Sequence, residues 1–297
     1  MNYKIKEGNY EKQGVQLLGK WTIFTFEGEK EDDCSVVLLN NEKEVVEKIE
    51  VPKEYCMGSL RSVAVENLKN DELLYMFEVN GKRVLDPYAH RIVGREIWND
   101  EKRIPDAVYG AFVPSGFAWG DDRSPEIDRS QMIMYKLHVR GFSMDAKPST
   151  TNGTFQAVSA RIPYLQGIGV TTVELMPVYE FEERIFPEEK MLPDYIQWEA
   201  EDADMIVPPE ETKVLPKLNF WGYTKGNYFA VKSSYARNAA KASQEYKTLV
   251  RKLHQHGMEC VMEFFFPEGT DQNLILAALR FWVMEYHVDG FHLLGEN

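Results

Sequence analysis

The sequence is poor in cysteine and in basic residues, and both shortages exclude classes of protein. Its three cysteines, Cys34, Cys56 and Cys260, are odd in number and far apart, so they form neither a disulfide framework nor a thiolate metal site, and buried thiols are expected. The 34 basic residues are outnumbered by 47 acidic ones, and the net charge is -13. This charge repels phosphate backbones and anionic lipids. It excludes nucleic acid and membranes as expected partners and leaves neutral or cationic ligands.

Long apolar runs are missing as well. The first residues carry no apolar core of a signal peptide, and the apolar stretch 274–279 is cut by Arg280. A cytoplasmic protein is therefore expected. With 297 residues, of which 44% are hydrophobic, the chain is long enough for two ordinary domains.

Short apolar runs separated by turn residues dominate the N-terminal part. The runs lie at 21–26, 35–39, 45–51 and 73–79, with Gly, Asn, Asp and Pro between them. Asn80-Gly81, directly after the last run, predicts a tight hairpin because both residues tolerate positive φ. The pattern predicts an all-β sandwich over residues 1–115 and a linker over 116–130, where Gly, Pro and Asp are frequent.

From residue 131 onwards, predicted strands alternate with predicted helices. Strands are expected at 131–139, 171–177, 258–266 and 288–294, and a first helix within 154–168. A second helix is expected to begin at a Ser243 cap and to end at Gly257, and a third to begin at Thr270 or Asp271. This alternation is typical of βαβ units and predicts four parallel strands over residues 131–297.

One long segment, 180–219, breaks the alternation. It is strongly acidic, contains several prolines and has no periodicity. Long loops of this kind are usually ligand-binding lids or mobile surface insertions. We expect a mobile surface loop, with a lid as the alternative.

Five groups of residues follow one another in a fixed order along the chain. They are Asp86-Pro87-Tyr88-Ala89 with Val93-Gly94-Arg95-Glu96; Tyr135-Lys136-Leu137-His138-Val139-Arg140-Gly141-Phe142-Ser143; Ile162-Pro163-Tyr164-Leu165 with 169–178; Trp221-Gly222-Tyr223 with Asn227-Tyr228-Phe229-Ala230; and Tyr286-His287-Val288-Asp289-Gly290-Phe291. In this order and spacing they resemble bacterial type I pullulanases and isoamylase-like debranching enzymes of the α-amylase superfamily, glycoside hydrolase family 13. The resemblance covers most of the chain.

The resemblance implies a fold and a chemistry. The fold is an immunoglobulin-like, starch-binding-type β-sandwich of the isoamylase N-terminal kind, followed by the first half of an α/β TIM-type (β/α)8 barrel whose site lies at the carboxyl ends of the strands. The chemistry needs two carboxylates about 5 Å apart, a nucleophile and a general acid. In this family the nucleophile ends the fourth strand in a G-F-R-F-D motif, and the acid and a third carboxylate follow on the fifth and seventh strands.

The sequence departs from that motif where the chemistry needs it most. Aligned without gaps, the fourth-strand segment has His292 at the arginine position and Leu294 at the nucleophile position. An alignment with a small deletion matches 293–295 to the pullulanase L-M-G instead, and both the arginine and the aspartate are missing either way. In the third-strand segment 261–268, Glu268 stands where the family has a sugar-binding histidine. Leucine cannot attack an anomeric carbon, so no catalytic residue is assigned.

The remaining candidates are residues that could bind a substrate. Trp221 and Tyr223 could stack on a glucose ring or could simply be packed loop aromatics. Glu263, Glu268 and Glu296 could form a new acidic site at the strand ends, although solvated carboxylates or an ion pair with Lys225 are the more common outcome. His292 completes the set of candidate binding residues.

Metals and cofactors are not expected. His254 and His256 lie around a helix end with no third ligand nearby in the sequence. His138 and Arg140 are expected to be structural residues at the end of the first strand of the parallel sheet.

Three functions are compatible with this sequence. The first is an inactive α-glucan-binding or regulatory relative of debranching hydrolases, with an α-glucan or maltooligosaccharide as ligand. The second is an active debranching hydrolase whose catalytic acid lies beyond residue 297, and the third is a truncated fragment without function. Four strands do not close a barrel. The edge at 288–294 is therefore expected to be covered by a missing C-terminal half, by a second copy or by the sandwich.

Overall fold

The structure is a computed structural model that describes residues 3–104, 107–113, 116–145, 147–185 and 216–295. The predicted loop over 180–219 lies mostly outside these ranges. The described part of the chain contains no helix that is long and apolar enough to cross a membrane.

Two antiparallel sheets form the N-terminal part. The first sheet contains β1 (Ile5–Glu7), β2 (Gly14–Leu18), β3 (Trp21–Glu27), β6 (Cys56–Met57) and β7 (Leu60–Glu66). The second contains β4 (Cys34–Leu39), β5 (Val45–Glu50), β8 (Leu74–Val79), β9 (Lys82–Val84), β10 (Ile92–Val93) and β11 (Tyr109–Ala111). The predicted β-rich N-terminal part is confirmed.

The two sheets face each other across a single apolar core. Phe24 and Phe26 of β3 meet Phe77 of β8, and the rings of Phe26 and Phe77 stack with centroids 4.2 Å apart. The predicted hairpin forms at β8 and β9, where Asn80 and Gly81 have φ of 50° and 77°. The facing sides of the two sheets thus form the shared core, as in a sandwich. The second sheet also buries its outer face, where Val37, Leu39, Leu74 and Ala111 form a separate small cluster.

A four-stranded parallel sheet follows. Its strands lie in the order β12 (Met134–Leu137), β13 (Thr172–Leu175), β18 (Glu259–Phe265) and β19 (Gly290–Leu294). The helices are α1 (Gly141–Met144), α2 (Phe155–Ala160), α3 (Ile162–Gly167), α4 (Ala242–Gln255) and α5 (Gln272–Tyr286). Between β13 and α4 lie β14 (Tyr179–Phe181), β15 (Arg184–Ile185), β16 (Lys217–Leu218) and β17 (Gly226–Val231), which form two small antiparallel pairs.

Two details of the predicted helices are wrong. The single helix expected within 154–168 is two helices, because the chain leaves helical geometry at Arg161 and restarts with Pro163 in the next first turn. Proline has no N–H to donate and suits that position. Ser243 does not cap α4, since that helix begins one residue earlier, directly after a 3-10 turn over Ala239–Lys241 that is capped by Asn238. The predicted cap at Asp271 is confirmed by its side chain, which accepts a hydrogen bond from the Asn273 amide.

The segment between the sandwich and the parallel sheet packs along α4, α5 and the start of β18. The Trp119 ring stacks on His287 with centroids 3.8 Å apart, and the Ile127 amide donates to the Glu259 carboxylate. Two of the three predicted buried thiols, Cys34 and Cys260, are buried, and Cys56 is half-buried.

Candidate functional site

The parallel sheet carries one layer of charged side chains. Register places Lys136 of β12 opposite Glu174 of β13, and Glu263 of β18 opposite His292 of β19. Because side chains alternate between the faces of a strand, residues in register share a face. Across β13 and β18 the register places Val261 opposite Glu174, and Glu263, two residues further along β18, lies on the same face. The layer therefore takes one charged residue from each of the four strands, although Glu174 and Glu263 are not directly opposite each other.

The side chains of this layer lie in direct contact with one another. His292 Nδ1 lies 2.8 Å from Glu174 Oε1 and 3.5 Å from Glu263 Oε2. Lys136 forms an ion pair with Glu263, and its Nζ is 3.4 Å from Glu174 Oε1. Glu174 and Glu263 are buried, whereas the side chains of Lys136 and His292 are 38% and 47% exposed. Burial opposes the charge on Lys136, but the Glu263 carboxylate outweighs it and raises the pKa of Lys136.

A turn at Gly222 holds two aromatic side chains above the sheet. Gly222 has φ of 80°, and a Cβ at this position would lie 2.6 Å from a ring carbon of Phe181. Trp221 is 51% exposed and Tyr223 is 38% exposed, so neither is a fully packed core aromatic. The Tyr223 ring is 5.9 Å from that of Phe265, the last residue of β18. The pair thus lies over the carboxyl ends of the strands.

Tyr223 also borders the charged layer. Burial, followed by the neighbouring Glu263 carboxylate, raises the pKa of Tyr223 to about 12. Its hydroxyl therefore stays protonated at neutral pH and remains a hydrogen-bond donor.

His138, just after β12, is a neutral structural histidine. The Gly141 amide donates to Nδ1, so the ring proton is on Nε2, which donates to the Phe220 carbonyl oxygen over 2.8 Å. Burial lowers the pKa of His138 to about 4. The imidazole stacks on Phe220 at 4.1 Å and meets Trp221 edge-on at 6.1 Å. His138 thereby fixes the base of the aromatic turn, in agreement with a structural role.

A buried ion-pair network anchors the chain on the other side of this turn. Lys232 Nζ donates to Glu180 and Glu183, both at 2.7 Å, and all three side chains are fully buried. Arg103 Nη1 donates to Glu183 over 2.7 Å. Burial alone would raise the pKa of Glu183, but the Lys232 and Arg103 cations outweigh it and lower this pKa. The network ties β14 to β17 and to the segment before the parallel sheet.

The structure brings together three of the five candidate binding residues. Tyr223, Glu263 and His292 border one layer, and Trp221 lies on the same turn as Tyr223. Glu268 is exposed and, among the described residues, has no hydrogen bond or ion pair to the other four. Glu296, the third member of the expected acidic site, lies outside the described residues. Leu294 is two residues beyond His292 and therefore on the same face of β19.

One expected contact is replaced by another. The alternative of an ion pair between Glu263 and Lys225 is wrong, because Lys225 is exposed and the partner of Glu263 is Lys136. Lys136 and Glu174 were not among the sequence candidates. Their only sequence signal is a charged residue inside an apolar strand, since the partners are far apart along the chain.

The histidines near the end of α4 have partners that the sequence did not indicate. His254 Nδ1 is 3.0 Å from Asp122 Oδ1, and its Nε2 is 3.0 Å from Asp289 Oδ2. His287 Nδ1 lies 2.7 Å from the same Asp122 carboxylate. Burial opposes charge on His254, yet Asp289 and Asp122 outweigh it and raise the pKa of His254. His256 is exposed and bonds the Lys252 carbonyl oxygen, so the two histidines do not share a site.

Comparisons with known proteins agree on one group of similar proteins. No family model matches the chain. It is 28% identical to the chloroplastic isoamylase 3 of Oryza sativa subsp. japonica over 84% of this chain and 38% of the relative. It is 28% identical to the GlgX homologue, a glycogen operon protein, of Haemophilus influenzae over 73% of this chain and 39% of the relative. The chain thus spans about two fifths of the length of these relatives.

Solved structures share the fold. The pullulanase of Paenibacillus barengoltzii, in complex with maltohexaose and α-cyclodextrin, matches with a TM-score of 0.70 at 19% identity over 97% of this chain and 49% of that chain. The pullulanase of Bacillus acidopullulyticus matches with a TM-score of 0.69 at 20% identity over 97% of this chain and 38% of that chain. The chain is therefore similar in sequence to isoamylases and GlgX proteins, which are debranching enzymes of glycoside hydrolase family 13, it shares the fold of pullulanases, and it spans less than half the length of each of these proteins.

Proposed function

We propose that this chain binds α-glucan chains through Trp221 and Tyr223 and does not hydrolyse them. The observation that carries the proposal is the exposed aromatic pair over the carboxyl ends of the parallel strands. An aromatic ring with a polar tip can cover the apolar face of a glucose unit while its hydroxyl or indole N–H meets a sugar hydroxyl. The Tyr223 hydroxyl is protonated with the Glu263 carboxylate beside it, and its oxygen can accept a hydrogen bond from a sugar hydroxyl.

The placement of the pair agrees with a barrel architecture. We propose residues 1–115 as the sandwich, 116–130 as the linker and 131–297 as the first half of a (β/α)8 barrel. In such barrels the loops at the carboxyl ends of the strands form the binding site. The parallel order of β12, β13, β18 and β19 supports this assignment.

We expect no hydrolysis because the carboxylates near this site are paired with basic side chains. A retaining glycosidase needs an ionised carboxylate free to attack the anomeric carbon and a second carboxyl group that is protonated. Glu174 and Glu263 are each paired with a cation, and both lie in the interior of the sheet layer. Leu294, above them on the same face, offers neither nucleophile nor charge.

The proposed ligand is a maltooligosaccharide. The related pullulanase of Paenibacillus barengoltzii was solved with maltohexaose, and a variant of it with maltotetraose. These sugars are uncharged, which suits a chain with a net charge of -13. Glu268 stays a candidate contact at the end of the same strand segment.

The edge strand β19 suggests a second partner. Within the described ranges it pairs only with β18, and Leu293 is 51% exposed. An apolar edge with free backbone groups is normally covered. We propose that a complementary barrel half, or a second copy, pairs with it.

Calorimetric titration with maltohexaose tests the binding surface. Trp221→Ala and Tyr223→Ala should each weaken binding at least about tenfold, since stacked aromatics of this kind contribute roughly 1–3 kcal/mol. Tyr164→Ala is the matched control, because Tyr164 is 54% exposed on α3 and outside the turn. Equal affinities for all four proteins would place the sugar elsewhere and contradict the proposal.

A further inference from the structure

Three potential metal ligands converge within the charged layer. One ligand atom each from Glu174, Glu263 and His292 lie within 4.8 Å of one another. A tetrahedral zinc ion with bonds of about 2.0–2.1 Å separates its ligand atoms by about 3.4 Å. The separations of His292 Nδ1 from the two carboxylates, 2.8 Å and 3.5 Å, fall on either side of that value. The third separation, between the two carboxylates, is at most 4.8 Å, so the side chains need to shift by roughly 1 Å or slightly more to bind an ion.

A second observation concerns the other carboxylate oxygen of Glu263. The Glu263 side chain is fully buried, and its Oε1 atom has no hydrogen-bond partner among the described residues. A buried carboxylate oxygen without a partner is costly. An ion bound between the three residues would give this carboxylate a stronger cation than one lysine supplies.

We propose that Glu174, Glu263 and His292 form a binding site for a divalent cation of the zinc type. One imidazole nitrogen and two carboxylates suit Zn²⁺ or Co²⁺, whereas Mg²⁺ prefers six oxygen ligands in near-octahedral geometry. Three protein ligands leave the remaining position to water. The partly exposed His292 side chain lies at the solvent side of the layer and gives an ion access.

Lys136 competes with the ion for the same carboxylates. Its ammonium group is paired with Glu263 and lies 3.4 Å from Glu174 Oε1. Two cations cannot share this space, so metal binding must displace the lysine. The side chain is 38% exposed and can turn towards solvent. Removal of the ammonium group should therefore increase the affinity for metal. If Lys136 had only a structural role, its removal would not increase this affinity.

The experiment is a calorimetric titration of the full chain with Zn²⁺, with Mg²⁺ as the comparison and Co²⁺ absorption as an independent readout of coordination. Lys136→Met should bind Zn²⁺ about tenfold more tightly than the wild-type chain, or better. His292→Ala should bind it at least about tenfold more weakly. His256→Ala should match the wild type, since His256 is an exposed histidine outside the layer.

Two results would overturn the proposal. One is the absence of Zn²⁺ binding in both the wild type and Lys136→Met, because the second variant lacks the competing cation. The other is binding that His292→Ala leaves unchanged, which would locate the ion elsewhere. A folding defect cannot imitate the expected gain of affinity in Lys136→Met. The titrations contain no glucan, so their outcome is independent of sugar binding.

Discussion

His292 Nδ1 lies 2.8 Å from Glu174 Oε1, although the two residues belong to strands that are separated by β18. The contact crosses the intervening strand above Glu263, whose carboxylate lies 3.5 Å from the same nitrogen. With Lys136 on the far side, the layer holds two carboxylates and two basic side chains. Both carboxylates are therefore in contact with basic side chains of the same layer.

We first predict that Leu294→Asp does not create a glycosidase. The new carboxylate would stand at the end of β19 with His292 beside it, but the nearby carboxylates of Glu174 and Glu263 are both paired with Lys136, so neither is free to act as the second carboxyl group. Release of reducing sugar from maltohexaose and pullulan should stay at the level of a blank without protein. Leu293→Asp, on the opposite face of the same strand, is the matched control. Turnover by Leu294→Asp alone would contradict this interpretation of the site.

The Gly222 turn should be sensitive to an added methyl group. In Gly222→Ala, the Cβ would lie 2.6 Å from the Phe181 ring, and the positive φ adds about 1 kcal/mol of backbone strain. Gly269→Ala is the matched control, because Gly269 has a similar φ of 76° but no atom within 4 Å of such a Cβ. We expect Gly222→Ala to lose more thermal stability and more maltohexaose affinity than the control. Equal losses would mean that the Phe181 contact does not hold the turn.

Lys232 should be essential for stability. Lys232→Met leaves the Glu180 and Glu183 carboxylates buried next to an apolar side chain, and breaking a buried pair typically costs about 3–5 kcal/mol. Lys225→Met removes an exposed lysine from the preceding turn and should stay within about 0.5 kcal/mol of the wild type. Urea denaturation of the three proteins measures the difference. A loss below about 1 kcal/mol in Lys232→Met would show that the network is not stabilising.

The His254 cluster should make stability depend on pH. The pKa of His254 is raised in the folded chain above its ordinary value of 6.5, so the protonated form is favoured by folding. Its contribution is fully present below about pH 6.5 and is lost as the pH rises through the folded pKa. We expect His254→Gln to destabilise the chain by about 3 kcal/mol at pH 6 and by clearly less at pH 9, because Asp122 and Asp289 lose a cationic partner only at the lower pH.

Urea denaturation of His254→Gln and the wild type at both pH values measures this dependence. His256→Gln serves as the control, since His256 is exposed. An equal loss of unfolding free energy at pH 6 and pH 9 would mean that a neutral imidazole, and not a charged one, makes the contacts of His254 with Asp122 and Asp289.

Elements of secondary structure that depend on neighbouring residues could be predicted from the sequence. The hairpin at Asn80-Gly81 and the four parallel strands follow from turn chemistry and apolar runs. Strand β7 was missed because its fully buried Arg61 looks like a surface residue. The structure explains the burial, since the guanidinium group donates to five backbone carbonyl oxygens of neighbouring loops.

The candidate site was predictable only in part. Trp221 and Tyr223 stand in a short motif around one glycine, so sequence reasoning could find them. The pairing of Lys136 with Glu263 joins residues 127 positions apart and depends on strand order and register. The contact between Asp122 and His254 likewise joins residues 132 positions apart. No local pattern carries that information.

The most direct measurement of the central claim combines binding and turnover in one sample. The purified chain is incubated with maltohexaose at a concentration that calorimetry shows to be saturating, and reducing ends are then counted over time. We predict bound sugar and no increase in reducing ends over a blank without protein, since Leu294 is no nucleophile and the nearby carboxylates are paired. A sustained increase in reducing ends would contradict the claim if the activity copurifies with the chain and is lost in Glu263→Gln. That result would establish a hydrolase.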